Sequence, residues 1–209
     1  MVKIAVVDYD MGNLHSACKG LENAGATPVV TDQVDVLLAA DAVLLPGVGA
    51  FDPAMQHIRD RHLEEPIQKA VESGKPFLGI CLGLQILFEA SDEGKEKGLG
   101  IIPGTVKRFQ PEVGITIPHM GWNQLEIKQQ NLPLWQDLTA DPYVYFVHSF
   151  YVEPTDKAVN AATVTHGSQT VTAAIAKDNL MAMQFHPEKS ADIGLKILAN
   201  FVDWVKQSA

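Results

Sequence analysis

Two patterns predict an α/β fold, with a mostly parallel central sheet flanked by helices and a mixed, largely antiparallel extension. Short continuous apolar runs alternate with amphipathic stretches through the first half, and briefer strand-like runs between proline- and asparagine-containing turns fill the second. Residues 4–7 read as the first strand, 14–24 as a helix, 28–30 and 42–45 as strands, with a helical stretch that ends near Ser73. Residues 77–80 form the next strand and 82–88 a helix. Residues 89–97, charged and glycine-containing, read as a solvated loop. Between 104 and 184 the strand-like runs are 105–109, 143–147, 161–165 and 171–176, and Met181-Ala182-Met183 alternates like a buried strand. A final amphipathic helix over 191–205 turns Ile193, Ile197, Leu198 and Phe201 inward. Without internal repeat or linker, residues 1–209 read as one domain with a substantial core.

Composition limits the partners. Sixteen Lys and Arg against twenty-five Asp and Glu give a formal charge of −9, which argues against a nucleic-acid or anionic-membrane surface. The apolar N-terminal run is too short for a signal peptide and no run approaches membrane-spanning length, so the expected location is cytoplasmic. With only Cys18 and Cys81, no disulfide framework or Cys-x-x-Cys site is available. Cys18 shares an apolar helical face with Leu14 and Leu21 and reads as core. The histidines lack metal-ligand spacing, so neither metal nor cofactor is expected.

The chemistry centres on Cys81. It lies in Gly79-Ile80-Cys81-Leu82-Gly83, at the corner between a strand and a helix, and so reads as a nucleophile elbow. Glycines two before and two after the thiol relieve a turn too sharp for side chains on both flanks. The following helix would aim its positive end at the sulfur and offer the Leu82 amide to an oxyanion. A cysteine alone would more simply be a small buried hydrophobe.

A base and its orienter stand in His186-Pro187-Glu188. Proline keeps the tripeptide extended, so His186 and Glu188 project on one face and the carboxylate can hold the imidazole tautomer. Taken alone, the tripeptide could equally be an exposed turn after a strand. His148, in Val147-His148-Ser149-Phe150, is a competing base or a satisfied core histidine.

The elbow with Gln85, followed far downstream by His186-Pro187-Glu188, resembles the class I (triad) glutamine amidotransferases, which have a flavodoxin-like α/β fold. The blocks Asp8-Tyr9-Asp10-Met11-Gly12-Asn13-Leu14, Pro46-Gly47-Val48-Gly49-Ala50-Phe51, His119-Met120-Gly121-Trp122-Asn123 and Tyr145-Phe146-Val147-His148-Ser149 are similar to the glutaminase subunits of imidazole glycerol phosphate synthases. Two positions depart from that pattern: Asp10, where glycine is usual, and Phe150, where tyrosine is common.

The resemblance implies a Cys81, His186 and Glu188 triad, with Val48 N–H as a second oxyanion donor between Gly47 and Gly49. It places glutamine against Gly47, Gly49, Gln85 and the backbone of His148, Ser149 and Phe150. Read alone, Gln85 could be a solvent-facing position and Gly47-Val48-Gly49 an ordinary turn. The implied partner is a cyclase subunit with a (β/α)8 barrel, joined as a heterodimer and met by Asn13, Trp122 in the turn 121–123, and Lys189. A Gly47-Val48 peptide turned away from the site would leave the oxyanion one donor short until the partner engages. No Walker-type loop is present, so the phosphorylated acceptor would bind on the partner. The alternatives are an amidotransferase subunit serving anthranilate, aminodeoxychorismate or pyridoxal phosphate synthesis, a free-standing cysteine hydrolase, or a catalytically dead homologue.

Overall fold

The computed structural model describes residues 1–208. The first half winds β1 (Lys3–Val7), α1 (Leu14–Asn23), β2 (Thr27–Thr31), α2 (Val34–Ala39), β3 (Ala42–Leu45), α3 (Phe51–Asp60), α4 (Glu64–Glu72), β4 (Phe77–Ile80) and α5 (Leu82–Gln85). The second half adds β5 (Ala90–Ser91), β6 (Gly104–Arg108), β7 (His119–Gln124), β8 (Glu126–Ile127), β9 (Tyr143–His148), β10 (Phe150–Pro154), β11 (Asn160–His166), β12 (Gln169–Lys177), β13 (Leu180–Met183) and α6 (Ala191–Ser208).

The main sheet runs β2-β1-β3-β4-β13-β12-β10-β6-β5, with β11 branching from β12 and β8 paired to β11. Its β2-β1-β3-β4-β13 portion is parallel, and from β12 through β10 to β6 the pairing is antiparallel. The parallel strands are apolar throughout because both faces are covered. Ile4, Val6, Leu44 and Leu78 pack with Ile197, Leu198 and Phe201 of α6. Ala5, Val7, Val43, Leu45 and Phe77 face Ile58 of α3 and Ile67 of α4. Successive strand residues thus alternate between two cores.

Several local expectations change. β7 pairs β9 in a separate two-stranded sheet, with Trp122 opposite Tyr145, so Trp122 lies in a strand and not in a turn. The helix expected over 82–88 stops after four residues. The carbonyls of Ile86, Leu87 and Phe88 instead accept from Leu99, Ile101, Ile102 and Gly100 of the returning segment. The segment expected as a solvated loop over 89–97 opens with β5, which pairs β6, and is tied to α3: Glu93 Oε2 accepts from Phe51 N at 2.9 Å, and Asp52 Oδ1 accepts from Lys95 N and Glu96 N. Ile193 is only half-buried, while Val202 and Val205 carry the α6 face onward into the core. None of the helices among the described residues is long and apolar enough to cross a membrane.

Candidate active site

β1, β3, β4 and β13 run parallel, so the segments after Val7, Leu45, Ile80 and Met183 gather at one sheet edge. The register pairs Met183 with Ile80, and Cys81 N donates to Met183 O at 2.8 Å. This bond sets the nucleophile's corner directly beside the chain leading to His186.

Cys81 has φ 55° and ψ −110°, a left-handed conformation that an L-residue rarely adopts. The flanking glycines are required by proximity. A Cβ on Gly83 would lie 1.9 Å from Leu45 O, and one on Gly79 would lie 2.9 Å from the Ala182 Cβ. With only one turn, α5 has too few aligned peptides for a macrodipole, which removes the helix-dipole activation expected for the thiol.

His186 and Glu188 come together as the motif predicts. Nδ1 of His186 lies 2.7 Å from Glu188 Oε1, both side chains are almost fully buried, and His186 borders the same cavity as Cys81. Ser190 braces the turn: its Oγ donates to His186 O at 2.6 Å and accepts from Tyr145 N at 2.9 Å. Burial alone would depress the imidazole, but hydrogen bonds to Cys81 and Glu188 outweigh it and push His186 up to about 9. A His186 raised to about 9 holds its proton at neutral pH. Glu188 Oε2 is buried and accepts no hydrogen bond among the described residues.

His148 is a poor base. Burial pushes it down to about 3, overriding the contact to Phe150 O that works the other way, and the neighbouring His119, His166 and His186 add to the depression. Its Nδ1 lies 2.7 Å from Phe150 O, which can only accept, so Nδ1 carries the proton and Nε2 accepts from His119 Nδ1 at 3.1 Å.

A cavity of about 440 Å³ opens over the thiol and collects Val48, Gly49, Cys81, Leu82, Gln85, His148, Ser149, Phe150, His186 and Lys189. Gly47 and Asn13 lie on the other side of Val48, in a small recess shared with His186 and Glu188. Asn13 also caps α1, its Oδ1 accepting from Ser16 N at 3.3 Å. Lys189 is exposed, and Trp122, 53 % exposed on β7, borders neither space.

Neither expected oxyanion donor faces that cavity freely. Val48 N donates to Met11 O at 2.9 Å, and Leu82 N donates to Gly47 O at 3.3 Å. One peptide accounts for both bonds, because the Gly47 carbonyl and the Val48 amide belong to the same plane. Behind it, the buried Tyr9 hydroxyl donates to Pro46 O at 2.7 Å, and a Cβ on Gly47 would lie 2.4 Å from that hydroxyl. The Met11 carbonyl is a backbone group, without a side-chain signature in sequence. Gln184 left a readable signal, a lone polar residue inside the apolar run from Leu180 to Phe185, and its side chain reaches the thiol.

Asp10 has φ 66°, which explains the glycine usual in the resembling family. Its carboxylate meets Arg61 at 2.5 Å, and Arg61 also meets Asp32 at 2.9 Å. At Phe150 the ring lies beneath the Arg108 guanidinium, 5.8 Å from the centroid.

The sequence profile described as Glutamine amidotransferase class-I matches residues 5–204. The chain is 69 % identical over 209 residues to "Imidazole glycerol phosphate synthase subunit HisH" of Gloeothece citriformis, covering 100 % of this chain and 99 % of that one. It is 68 % identical over 209 residues to the protein of the same name from Microcystis aeruginosa, with the same coverage. Among solved structures, PurLQS from Thermotoga maritima superposes with a TM-score of 0.75 at 22 % identity, covering 98 % of this chain and 99 % of that one. A structure described as glutamine amidotransferase gives 0.72 at 20 % identity, with 97 % and 98 % covered. At those identities the structures speak for the fold alone. The profile match and the full-length relatives go further: the chain belongs to the class-I glutamine amidotransferases, among the HisH subunits of imidazole glycerol phosphate synthase.

Proposed function

We infer that this chain is the glutaminase subunit of imidazole glycerol phosphate synthase, with Cys81, His186 and Glu188 as its triad. The single observation that carries the chemistry is the buried His186–Glu188 pair at 2.7 Å beside a thiol held at a strained strand-to-helix corner. The Cys81 thiolate attacks the carboxamide carbon of glutamine. The C–N bond breaks, and the His186 imidazolium gives its proton to the departing ammonia. His186, now neutral, takes a proton from water as it attacks the thioester. Glutamate leaves and the thiolate is restored.

Glutamine fits the cavity with its carboxamide at Cys81 and its amino-acid end toward Gln85 and the 148–150 backbone. The oxyanion requires a rotation of the Gly47-Val48 peptide. That turn releases Leu82 N–H from the Gly47 carbonyl and brings Val48 N–H from Met11 into the site, supplying both donors at once. Gly49, at φ +103°, gives the segment the freedom it needs.

The partner is a cyclase subunit built as a (β/α)8 barrel, and the reaction belongs in the cytoplasm. Val48 and Lys189 are exposed beside the cavity and Asn13 lines the adjoining recess, so a partner seated there would touch the switch peptide and the triad turn together. Trp122 lies farther out on β7, where Met120 is also exposed, and would extend that contact. Ammonia released into water at neutral pH is mostly protonated and useless as a nucleophile. Coupling hydrolysis to an occupied partner avoids that loss.

Mixing the chain with a cyclase subunit and measuring glutamate release with and without the acceptor substrate tests the reading. The isolated chain should be at least a hundredfold slower, the worth of about 2.7–4 kcal/mol of oxyanion stabilisation. Cys81→Ala should abolish glutamine turnover while ammonium salts still support the cyclase. Equal rates for the isolated chain and the complex would favour a free-standing amidase.

A further inference from the structure

Gln184 follows β13 and is fully buried. A carboxamide enclosed in this way is costly unless its polar atoms are bonded. Its Oε1 lies 3.0 Å from Gln85 Nε2, and its Nε2 lies 3.6 Å from Cys81 Sγ. The two ends of a carboxamide have nearly the same shape, so which end faces the sulfur depends on the surrounding bonds.

Those bonds leave one answer. Gln85 Nε2 stands 3.2 Å from the Phe150 carbonyl, which can only accept, so Gln85 must present its NH2 there. The same NH2 reaches Gln184, which must answer with an acceptor, its Oε1. The remaining end of Gln184 is its NH2, and it points at the thiol. The Phe150 carbonyl is itself fixed, because His148 donates to it from Nδ1 at 2.7 Å. A backbone acceptor at the head of β10 thereby decides, through two glutamine side chains, that Cys81 meets a donor.

We propose that Gln184 is a catalytic residue that donates an N–H to the Cys81 sulfur and stabilises its thiolate, with Gln85 as the positioning residue that fixes its amide sense. The inference rests on the reading of Cys81 as the nucleophile and adds a group outside the triad. The donor serves two steps. Before attack it favours the charged sulfur over the thiol, since a bond to an ionised partner is stronger than one to a neutral partner. When the thioester is hydrolysed, the C–S bond breaks with its electron pair passing to sulfur, and the same N–H receives the returning charge. His186 still moves every proton.

The test uses Cys81 alkylation by iodoacetamide in the intact chain, with Cys18 as an internal reference. Burial and the nearby Glu22 push the Cys18 thiol up, so it stays protonated. Gln184→Met removes the donor at nearly constant volume. Gln184→Glu keeps an acceptor for Gln85 but offers oxygen to the sulfur. Both should slow Cys81 alkylation at neutral pH roughly three- to tenfold and displace its pH profile upward, without changing Cys18. In the parent chain, the Gln184 carboxamide NMR resonances should move when Cys81 is alkylated, a measurement that needs no variant to fold. If Cys81 in the parent is no more reactive than Cys18, or its alkylation spares glutamine turnover in the complex, the nucleophile reading fails. If the parent behaves as a reactive nucleophile while the variant profiles and the Gln184 resonances stay unchanged, the Gln184 assignment alone is overturned.

Discussion

The amide of Val48 donates to the carbonyl of Met11 at 2.9 Å, which commits to the loop after β1 a hydrogen atom that the proposed oxyanion site calls for on the other side of the peptide. In the same orientation the Gly47 carbonyl takes the Leu82 amide at 3.3 Å. A single rotation of this peptide would reverse both commitments, and on the proposed mechanism that rotation separates the resting chain from the working one.

Replacing Val48 by proline removes the N–H in either orientation. The partner- and acceptor-bound complex should then hydrolyse glutamine roughly a hundred- to a thousandfold more slowly, the cost of one lost oxyanion donor. Ammonium-driven cyclase turnover should be unaffected. A glutamate-release assay run beside the ammonium assay separates the two, and unchanged glutaminase activity would remove Val48 from the oxyanion site.

His186 is pushed up to about 9 because its contacts with Cys81 and Glu188 outweigh burial. The rise above the ordinary value of 6.5 means that the folded chain holds a proton the unfolded chain releases. The resulting stabilisation is complete below about 6.5 and is lost as pH rises through about 9. Glutamine kcat/KM should fall over the same upper limb, as the proton needed by departing ammonia disappears. Cys81→Ala should lower the imidazole titration midpoint followed by NMR, since the sulfur is one of the contacts that raise it. A midpoint unmoved by that substitution would contradict the pairing.

Acid acts through other histidines. His119 is depressed to about 4 and His148 to about 3, each chiefly by burial. Below 6.5 the unfolded chain takes up protons that the folded cluster refuses, so stability falls with pH from that point downward. His148→Phe removes one of these groups. It should lower the urea midpoint at neutral pH, because Phe150 O and His119 each lose a partner. It should also flatten the decline between neutrality and pH about 5. An equally steep decline in the variant would shift the acid sensitivity elsewhere.

Sequence carried the fold where side-chain pattern dictates backbone. The strands at 42–45 and 77–80 are continuous apolar runs because both faces are buried, and the structure sets both of them so. β7 and β10 leave no such pattern, because His119-Met120-Gly121-Trp122-Asn123-Gln124 and the stretch after Ser149 mix polar and apolar residues on partly exposed strands. The end of α5 was invisible for a different reason: Leu99, Ile101 and Ile102 end the helix through their backbone amides, and those bonds depend on tertiary placement alone. The site divides in the same way. Cys81, His186 and Glu188 announce themselves by residue type and spacing. Met11 acts through its carbonyl, which every residue possesses, and Gln184 draws its orientation from a chain of partners far apart in sequence.

The two kinds of glycine in this chain give the last prediction. At Gly83 the backbone conformation is ordinary, but a Cβ would lie 1.9 Å from Leu45 O and 2.9 Å from Leu45 C, backbone atoms of a buried central strand that cannot yield. At Gly25 a Cβ would meet open space, and the obstacle is the torsion alone, φ +84°. Gly25→Ala should therefore cost about 1–2 kcal/mol, the price of a left-handed alanine, and leave glutamine turnover in the complex unchanged. Gly83→Ala should cost about 1–3 kcal/mol or more by overpacking. Any part of it that folds should have lost most glutaminase activity, because relief can come only by separating the Cys81 elbow from the end of β3 that carries Gly47 and Val48. Denaturation midpoints and glutamate release measured on both variants decide the matter. If Gly83→Ala matches Gly25→Ala in both, the close contact between elbow and strand is not what holds the nucleophile against its oxyanion donors.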